Sequence, residues 1–229
     1  MSQKLRKLLN DTVTVLATTL AVKDPYTAKH SSRVAQIAEA IAQEMGAGPE
    51  FTEGVRVMGL LHDLGKIAIP SAILSKPGML NQQEFDLIKT HPQVGHNVLM
   101  DFKFPWPVAL AVLQHHEKLD GSGYPHGFSG DEIIPEARIL TVADVVEAMA
   151  SHRPYRPAQG LDAAIKEISE KPGAMYDPEV VGACLKMMAD TTKRDVLENR
   201  PFTPASVVAT ESAYLDARRQ SRAHRRFYP

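Results

Sequence analysis

The sequence has a single cysteine, no long apolar run and almost no net charge. Its one cysteine, Cys184, excludes an internal disulfide framework and is typical of a reducing compartment. No apolar run approaches the roughly 18 residues that a membrane span needs, and the N-terminus has no signal-peptide pattern. A formal net charge of -1 gives no overall attraction to nucleic acid or to a membrane surface. We therefore expect a cytoplasmic protein that binds neither.

Length and patterning predict an all-α fold. The chain has 229 residues, 44% of them hydrophobic, which is enough for one substantial domain. Apolar residues recur at helical spacing, and strand-like alternation is nowhere sustained. We predict three parts: an amphipathic helix in residues 1–23, a main domain in residues 24–190 and an extension with an arginine-rich tail in residues 191–229.

Both ends of the chain leave alternatives open. The first helix carries one apolar stripe, formed by Leu5, Leu8, Leu9, Val13, Leu16 and Leu20. This stripe either packs on the rest of the chain or forms a homodimer with a second copy. The final twelve residues, RRQSRAHRRFYP, contain five arginines and no acid. They form either a solvated tail or a contact for an acidic partner or nucleic acid.

A histidine and an aspartate stand side by side near the end of an apolar helical run, in the segment LLHDLGK at residues 60–66. His62 and Asp63 can both ligate one metal ion, and the carboxylate has a second oxygen that can bridge to another ion. Gly65 suits the end of the helix, and a connecting loop is expected after Lys66. Because such a pair often occurs by chance, its meaning depends on the other polar residues at inward-facing positions.

Five further polar residues occupy inward-facing positions or helix ends. With the pair they make the set His30, His62, Asp63, His91, His115, His116 and Asp144. A charged aspartate on an apolar stripe, such as Asp144, is costly unless it is paired or bound to metal. One shared metal centre explains the whole set, and it divides naturally into two ions bridged by Asp63. A bridging water on two such ions gives hydroxide near neutral pH, which supports phosphoester hydrolysis.

Five blocks of the sequence, over about residues 24–190, resemble a known family in order and in spacing. They read DPYTAKHSSRV, LLHDLGKIAIP, KTHPQVG, QHHEKLDGSGYP and ARILTVADVVEAMASHRPYR. By these blocks the chain is identified as a member of the HD-GYP subfamily of the HD phosphohydrolase superfamily. The resemblance implies a helical HD-domain bundle with a long GYP loop and two or three metal ions. It also implies hydrolysis of cyclic di-GMP in bacterial signalling, to linear pGpG and, as a further product, GMP.

The resemblance gives each site residue an expected role. One metal position is formed by His30, His62, Asp63 and Asp144, and the other by Asp63, His91, His115 and His116. Lys66 resembles the family's contact to one substrate phosphate, and Arg153 resembles its contact to the other phosphate. Asp63 and Lys66 are therefore the expected catalytic residues.

Two departures from the family pattern change these expectations. Some family members with three metals carry a glutamate where this chain has Tyr26, so we predict two divalent ions. By resemblance these are iron or manganese, although zinc and nickel also suit imidazole and carboxylate ligands. The family usually has ADVYDA where this chain has ADVVEA. Glu147 is thus an expected substrate contact whose longer side chain changes binding or rate.

Two other functions fit the same residues. The altered segment around Glu147 suits a non-catalytic sensor or docking module that binds cyclic di-GMP without hydrolysing it. An enzyme for another cyclic dinucleotide would need the same ligand set. The GYP loop at residues 121–125 either shapes the rim of the pocket or contacts partner signalling proteins.

Overall fold

The computed structural model describes residues 3–151 and 159–190, and this part of the chain is built from helices without a β-strand. The all-α prediction is confirmed. The α-helices are α1 (Gln3–Lys23), α2 (Pro25–Glu44), α3 (Pro49–Leu61), α4 (Ser71–Leu74), α5 (Gln82–Ile88), α6 (His91–Leu99), α7 (Val108–Gln114), α8 (Pro135–Ala150), α9 (Leu161–Glu170) and α10 (Pro178–Ala189). Two 3₁₀ segments lie between them, Leu64–Ala68 and Gly130–Glu132. The predicted extension in residues 191–229 lies outside the described residues.

Helix α2 lies at the centre of the bundle, where it packs against α3 and α8 and also contacts α1 and α10. Its buried stripe of Val34, Ile37 and Ile41 continues to His30 near the helix start, as the apolar spacing predicts. Helix α3 approaches α2 closely at Gly59. A Cβ atom at that position would lie 2.6 Å from the Cα atom of Ala35. This close packing brings the end of α3 beside His30.

The segment after α3 differs from its prediction. Helix α3 ends at Leu61, and Gly65 lies inside a 3₁₀ segment instead of at the helix end. A Cβ atom at Gly65 would overlap the backbone carbonyl of His91. Glycine is therefore needed for the close approach of α6, and it does not serve as a left-handed helix cap. The expected connecting loop also contains the short helix α4.

Helix α1 packs against α2 and α3 through part of its predicted apolar stripe. Leu9, Val13 and Leu20 are buried, whereas Leu8 is 62% exposed. The assignment of Leu8 to the stripe is wrong, because neighbouring residues are about 100° apart on a helix and Leu8 falls on the outer face. None of the described helices, including α1 with 21 residues, combines the length and apolarity that a membrane crossing requires.

Candidate metal centre

Side chains from five helical elements meet in one cluster of imidazoles and carboxylates. His30 comes from α2, His62 and Asp63 follow α3, His91 opens α6, His115 and His116 follow α7, and Asp144 lies on α8. Six of them are buried, and His116 is half-buried. The structure thus brings together all seven residues that the sequence placed in one centre.

The first triad of this cluster consists of His30, His62 and Asp144. One potential ligand atom from each residue lies within 4.8 Å of the other two. His30 Nε2 is 3.0 Å from Asp144 Oδ1 and 3.3 Å from His62 Nε2. Two imidazole nitrogens and a carboxylate oxygen at this spacing suit a divalent transition metal.

The second triad consists of His91, His115 and His116. Their potential ligand atoms also lie within 4.8 Å of one another, and the two Nε2 atoms of His91 and His115 are 3.2 Å apart. Three imidazoles form a donor set found in metal enzymes. Both triads therefore have the donors to hold one ion.

Asp63 lies between the two triads and faces each with a different oxygen. Its Oδ2 is 3.4 Å from Nε2 of His62 and 3.6 Å from Nε2 of His30, whereas its Oδ1 is 3.3 Å from Nε2 of His91. Oδ1 is buried and has no hydrogen-bond partner among the described residues. Because an unsatisfied buried acceptor is costly, this oxygen fits contact with a cation. The seven residues as placed therefore fit a pair of metal ions.

Three of the imidazoles are oriented by backbone carbonyl groups close by in the chain. The Nδ1 atoms of His62, His91 and His115 each lie 2.7 Å from the carbonyl oxygen of the residue three positions earlier. A carbonyl can only accept a hydrogen bond, so each Nδ1 carries the proton and each Nε2 keeps a free lone pair. This is the tautomer in which Nε2 can bind a metal.

Charges around Asp63 favour the protonation states that metal binding requires. Burial opposes ionisation of its carboxyl group, but the ammonium group of Lys66 holds the pKa of Asp63 well below its usual range. Burial lowers the pKa of His91 to about 4. An anionic carboxylate therefore stands beside a neutral imidazole at neutral pH, as in a metal site.

Glu147 contacts the ring of His30 on the side away from His62 and Asp144, the other two members of the first triad. It is 2% exposed, and its Oε2 contacts Nδ1 of His30. Burial lowers the pKa of His30, but hydrogen bonds with Asp144 and Glu147 outweigh burial and raise it to about 9. The structure thus places Glu147 against a protein side chain, and it gives no support to the expected substrate contact.

The two residues expected to bind substrate phosphates have different outcomes. The side chain of Lys66 is 12% exposed, and its Nζ lies 2.7 Å from Oδ2 of Asp63. Lys66 is therefore at the centre, as the sequence predicts. Arg153 lies outside the described residues, so its contact stays a prediction.

The segment that contains the GYP loop, residues 117–127, folds over the second triad and makes contacts that were not expected from the sequence. The ring of Tyr124 stacks on His116, with centroids 4.6 Å apart and an interplanar angle of 31°. Glu117 is buried, and its Oε1 accepts hydrogen bonds from the backbone N–H groups of His126 and Gly127 at 2.8 and 3.2 Å. The signal for Glu117 was its place directly after the two histidines. The loop thus forms a wall of the centre.

The sequence pattern of the HD domain family matches residues 14–180. The chain belongs to the HD domain family. Its predicted membership of the HD phosphohydrolase superfamily is confirmed.

Two of the proteins that are similar to this chain have names that state an activity. The cyclic di-GMP phosphodiesterase response regulator RpfG of Xanthomonas campestris pv. campestris is 39% identical over 178 residues, which cover 77% of this chain and 47% of the relative. The 3'3'-cGAMP-specific phosphodiesterase 3 of Vibrio cholerae is 38% identical over 176 residues, covering 77% of this chain and 38% of the relative. The chain therefore spans less than half the length of either protein.

A solved structure supports the fold of the HD domain. The cyclic GMP-AMP specific phosphodiesterase V-cGAP3 of V. cholerae superposes with a TM-score of 0.64 at 18% identity. The match covers 91% of this chain and 57% of that one. At this identity the likeness establishes a shared helical architecture.

Proposed function

We propose that this chain is a metal-dependent phosphodiesterase that hydrolyses cyclic di-GMP to linear pGpG, with GMP as a further product. One observation carries the proposal: the two carboxylate oxygens of Asp63 face two separate triads of ligand atoms. Two ions about 3.5 to 4 Å apart are a recurring device for breaking phosphodiester bonds. The name of the X. campestris relative supports cyclic di-GMP as the substrate.

Each residue of the cluster has a proposed part in this reaction. The first triad and Asp63 hold one ion, the second triad and Asp63 hold the other, and Lys66 contacts a substrate phosphate. Arg153 is the proposed contact to the second phosphate. When bound, the two ions activate water for attack on phosphorus and offset the negative charge that develops there. The protein's part is to orient the substrate and to fix Asp63 between the triads.

The proposed ions are two iron or manganese ions. Mixed imidazole and carboxylate ligands accept either metal, as well as zinc or nickel. The number rests on the seven candidate ligands, which divide into two positions, and on Tyr26 at the place where some family members have an additional glutamate. Elemental analysis of protein purified without chelators, under anaerobic conditions, measures both identity and number.

The central experiment is a turnover assay with metal-loaded protein. We expect Fe²⁺- or Mn²⁺-loaded protein to convert cyclic di-GMP to pGpG and the variant Asp63→Ala to be inactive. Intact cyclic di-GMP after incubation with iron, manganese, zinc and nickel in turn would overturn the proposed activity. Tight nucleotide binding in that same experiment would favour the sensor function instead.

A second candidate substrate is 3'3'-cGAMP. It is favoured by the V. cholerae relative, which is almost as similar to this chain as the X. campestris protein and is named specific for that nucleotide. Values of kcat/KM measured side by side on both substrates decide between them, because specificity is a ratio of these values. A ratio that favours 3'3'-cGAMP would replace cyclic di-GMP in the proposed function.

We further propose that the chain acts in the cytoplasm and forms a homodimer through the outer face of α1. Leu8, Val15 and Val22 recur every seven residues and are 62%, 63% and 84% exposed. A seven-residue apolar repeat is the pattern of helices that pair lengthwise. Analytical ultracentrifugation of the wild type and of Val15→Lys tests the dimer, and a wild-type monomer at high concentration would exclude it.

The exposed part of the GYP loop is the proposed contact for signalling partners.

A further inference from the structure

His30 differs from the other buried imidazoles of the centre in what orients its ring. His62, His91 and His115 each use a backbone carbonyl three residues earlier, so their orientation is set by backbone close by in the chain. His30 instead contacts the carboxylate of Glu147, which lies 117 positions later in the chain. An ionised carboxylate accepts from Nδ1 more strongly than a neutral carbonyl does. The orientation of His30 therefore depends on how α8 packs against α2.

Glu147 is itself held in place by two further side chains. Its Oε1 accepts a hydrogen bond from the hydroxyl of Ser151 at 2.5 Å, and Nε of Arg33 lies 3.3 Å from the same oxygen. Glu147 is one helical turn after Asp144 on α8, and Arg33 is one turn after His30 on α2. The two helices thus present matched pairs of residues that contact each other across the interface. Because both of its oxygens have partners, the position of the Glu147 carboxylate is fixed.

We propose that Glu147 is a positioning residue, which fixes the ring of His30 with Nε2 directed at the first metal position. The proposal rests on the proposed function, since it requires that His30, His62 and Asp144 hold an ion. A carboxylate behind a ligating histidine fixes the tautomer and increases the basicity of the ligand. Loss of such a partner typically weakens metal binding by about 10- to 100-fold. Glu147 therefore controls the affinity of one metal position and leaves the other unaffected.

The decisive test is a Mn²⁺ titration of chelator-treated protein, comparing wild type with Glu147→Gln. Glutamine keeps the size of the side chain but removes its charge. We expect two bound ions per chain in the wild type. In the variant, one ion should bind about 10- to 100-fold more weakly, with the affinity of the other changed by less than about twofold. The proposal would be overturned if the variant bound both ions with wild-type affinity. It would also be overturned if both positions were weakened equally.

Glu136→Gln is the matched control. Glu136 is also a buried glutamate on α8, but it lies 11 residues earlier, about 16 Å away along the helix axis. If Glu147→Gln acted only by loosening α8, the control would weaken metal binding in the same way. We expect the control to bind both ions with wild-type affinity.

A second variant keeps the proposal testable if Glu147→Gln does not fold. Ser151→Ala retains the carboxylate and removes one of the groups that hold it. The same metal position should therefore weaken by about 2- to 13-fold, because one hydrogen bond contributes about 0.5 to 1.5 kcal/mol. An unchanged affinity in that variant would count against the positioning role.

The titration also distinguishes this proposal from the proposed function. If the wild type binds no divalent ion, the proposed metal centre itself is refuted. If the wild type binds two ions and hydrolyses the substrate, while Glu147→Gln binds both ions with unchanged affinity, only the role of Glu147 is refuted.

Discussion

The ammonium group of Lys66 lies 2.7 Å from Oδ2 of Asp63, the same oxygen that faces His30 and His62. Asp63 is 1% exposed, so this is a largely buried ion pair. The residue proposed to bind a substrate phosphate is thus paired with the carboxylate proposed to bridge the metal ions. A cation bound at Oδ2 would compete with Lys66 and leave the ammonium group available to the phosphate.

Replacing Lys66 with methionine should separate substrate binding from metal binding. We expect kcat/KM for cyclic di-GMP to fall about 100-fold, because a charged contact to the reacting phosphate is lost. Mn²⁺ affinity should rise, since a competing cation is removed from Asp63. Steady-state kinetics and Mn²⁺ titration measure the two effects. Lys76→Met, which removes a lysine paired with Glu84 at 2.6 Å, should leave both unchanged. Weaker Mn²⁺ binding in Lys66→Met would contradict the expectation.

Asp63→Asn should impair both metal positions at once. Asparagine preserves the shape of the side chain but not the negative charge that two ions would share, so we expect fewer than one tightly bound ion per chain and activity reduced by more than about 1,000-fold. Elemental analysis after gel filtration gives the stoichiometry. Asp86→Asn is the control, because the Asp86 side chain is 56% exposed. Retention of two ions in Asp63→Asn would refute the bridging role.

Metal removal should lower the stability of the folded protein. An ion that binds only the folded chain stabilises it by about 2.7 kcal/mol when its free concentration is 100 times its dissociation constant. We expect Tm to rise with added Mn²⁺ in chelator-treated wild type and to stay constant in Asp63→Asn. Differential scanning calorimetry provides the measurement. An identical rise in both proteins would place the stabilising ions elsewhere.

Substitutions of Tyr124 should reveal what the GYP loop contributes to the second triad. A stacked ring pair contributes about 0.5 to 1.5 kcal/mol beyond burial, so Tyr124→Ala should lower kcat by up to about tenfold by loosening His116. Tyr124→Phe keeps the ring and should behave as wild type. A large loss of activity in Tyr124→Phe would show that the hydroxyl, and not the ring, carries the function.

Gly65 and Gly182 form a matched pair for testing the contact between the 3₁₀ segment and α6. Gly65→Ala forces a Cβ atom into the carbonyl of His91 and should cost about 2 kcal/mol or more. Gly182 lies exposed in α10, and a Cβ atom there would meet nothing within 4 Å. Gly182→Ala should therefore stabilise the protein by about 0.5 to 1 kcal/mol. Urea unfolding monitored by circular dichroism checks both, and equal effects would remove the packing explanation.

Much of the centre could be predicted from the sequence because its ligands lie at helix ends or on apolar stripes, where 3.6-residue periodicity shows which residues face inward. His30, His62 and Asp144 were all found in this way. The role of Gly65 could not be found, because a glycine that follows a helix looks the same whether it caps that helix or admits another one. The contact between Glu147 and His30 could not be found for a related reason: the two residues are distant in the chain, and no local sequence pattern shows that they meet.

The two triads differ in how far apart their members lie along the chain. His91, His115 and His116 come from α6 and α7, which are neighbours in sequence and in space. His30, His62 and Asp144 come together only when α2, α3 and α8 have all packed. Contacts between distant segments carry a larger loop-closure cost. The second triad is therefore the one that a partly folded chain can assemble early, whereas the first triad forms only after these three helices have packed together.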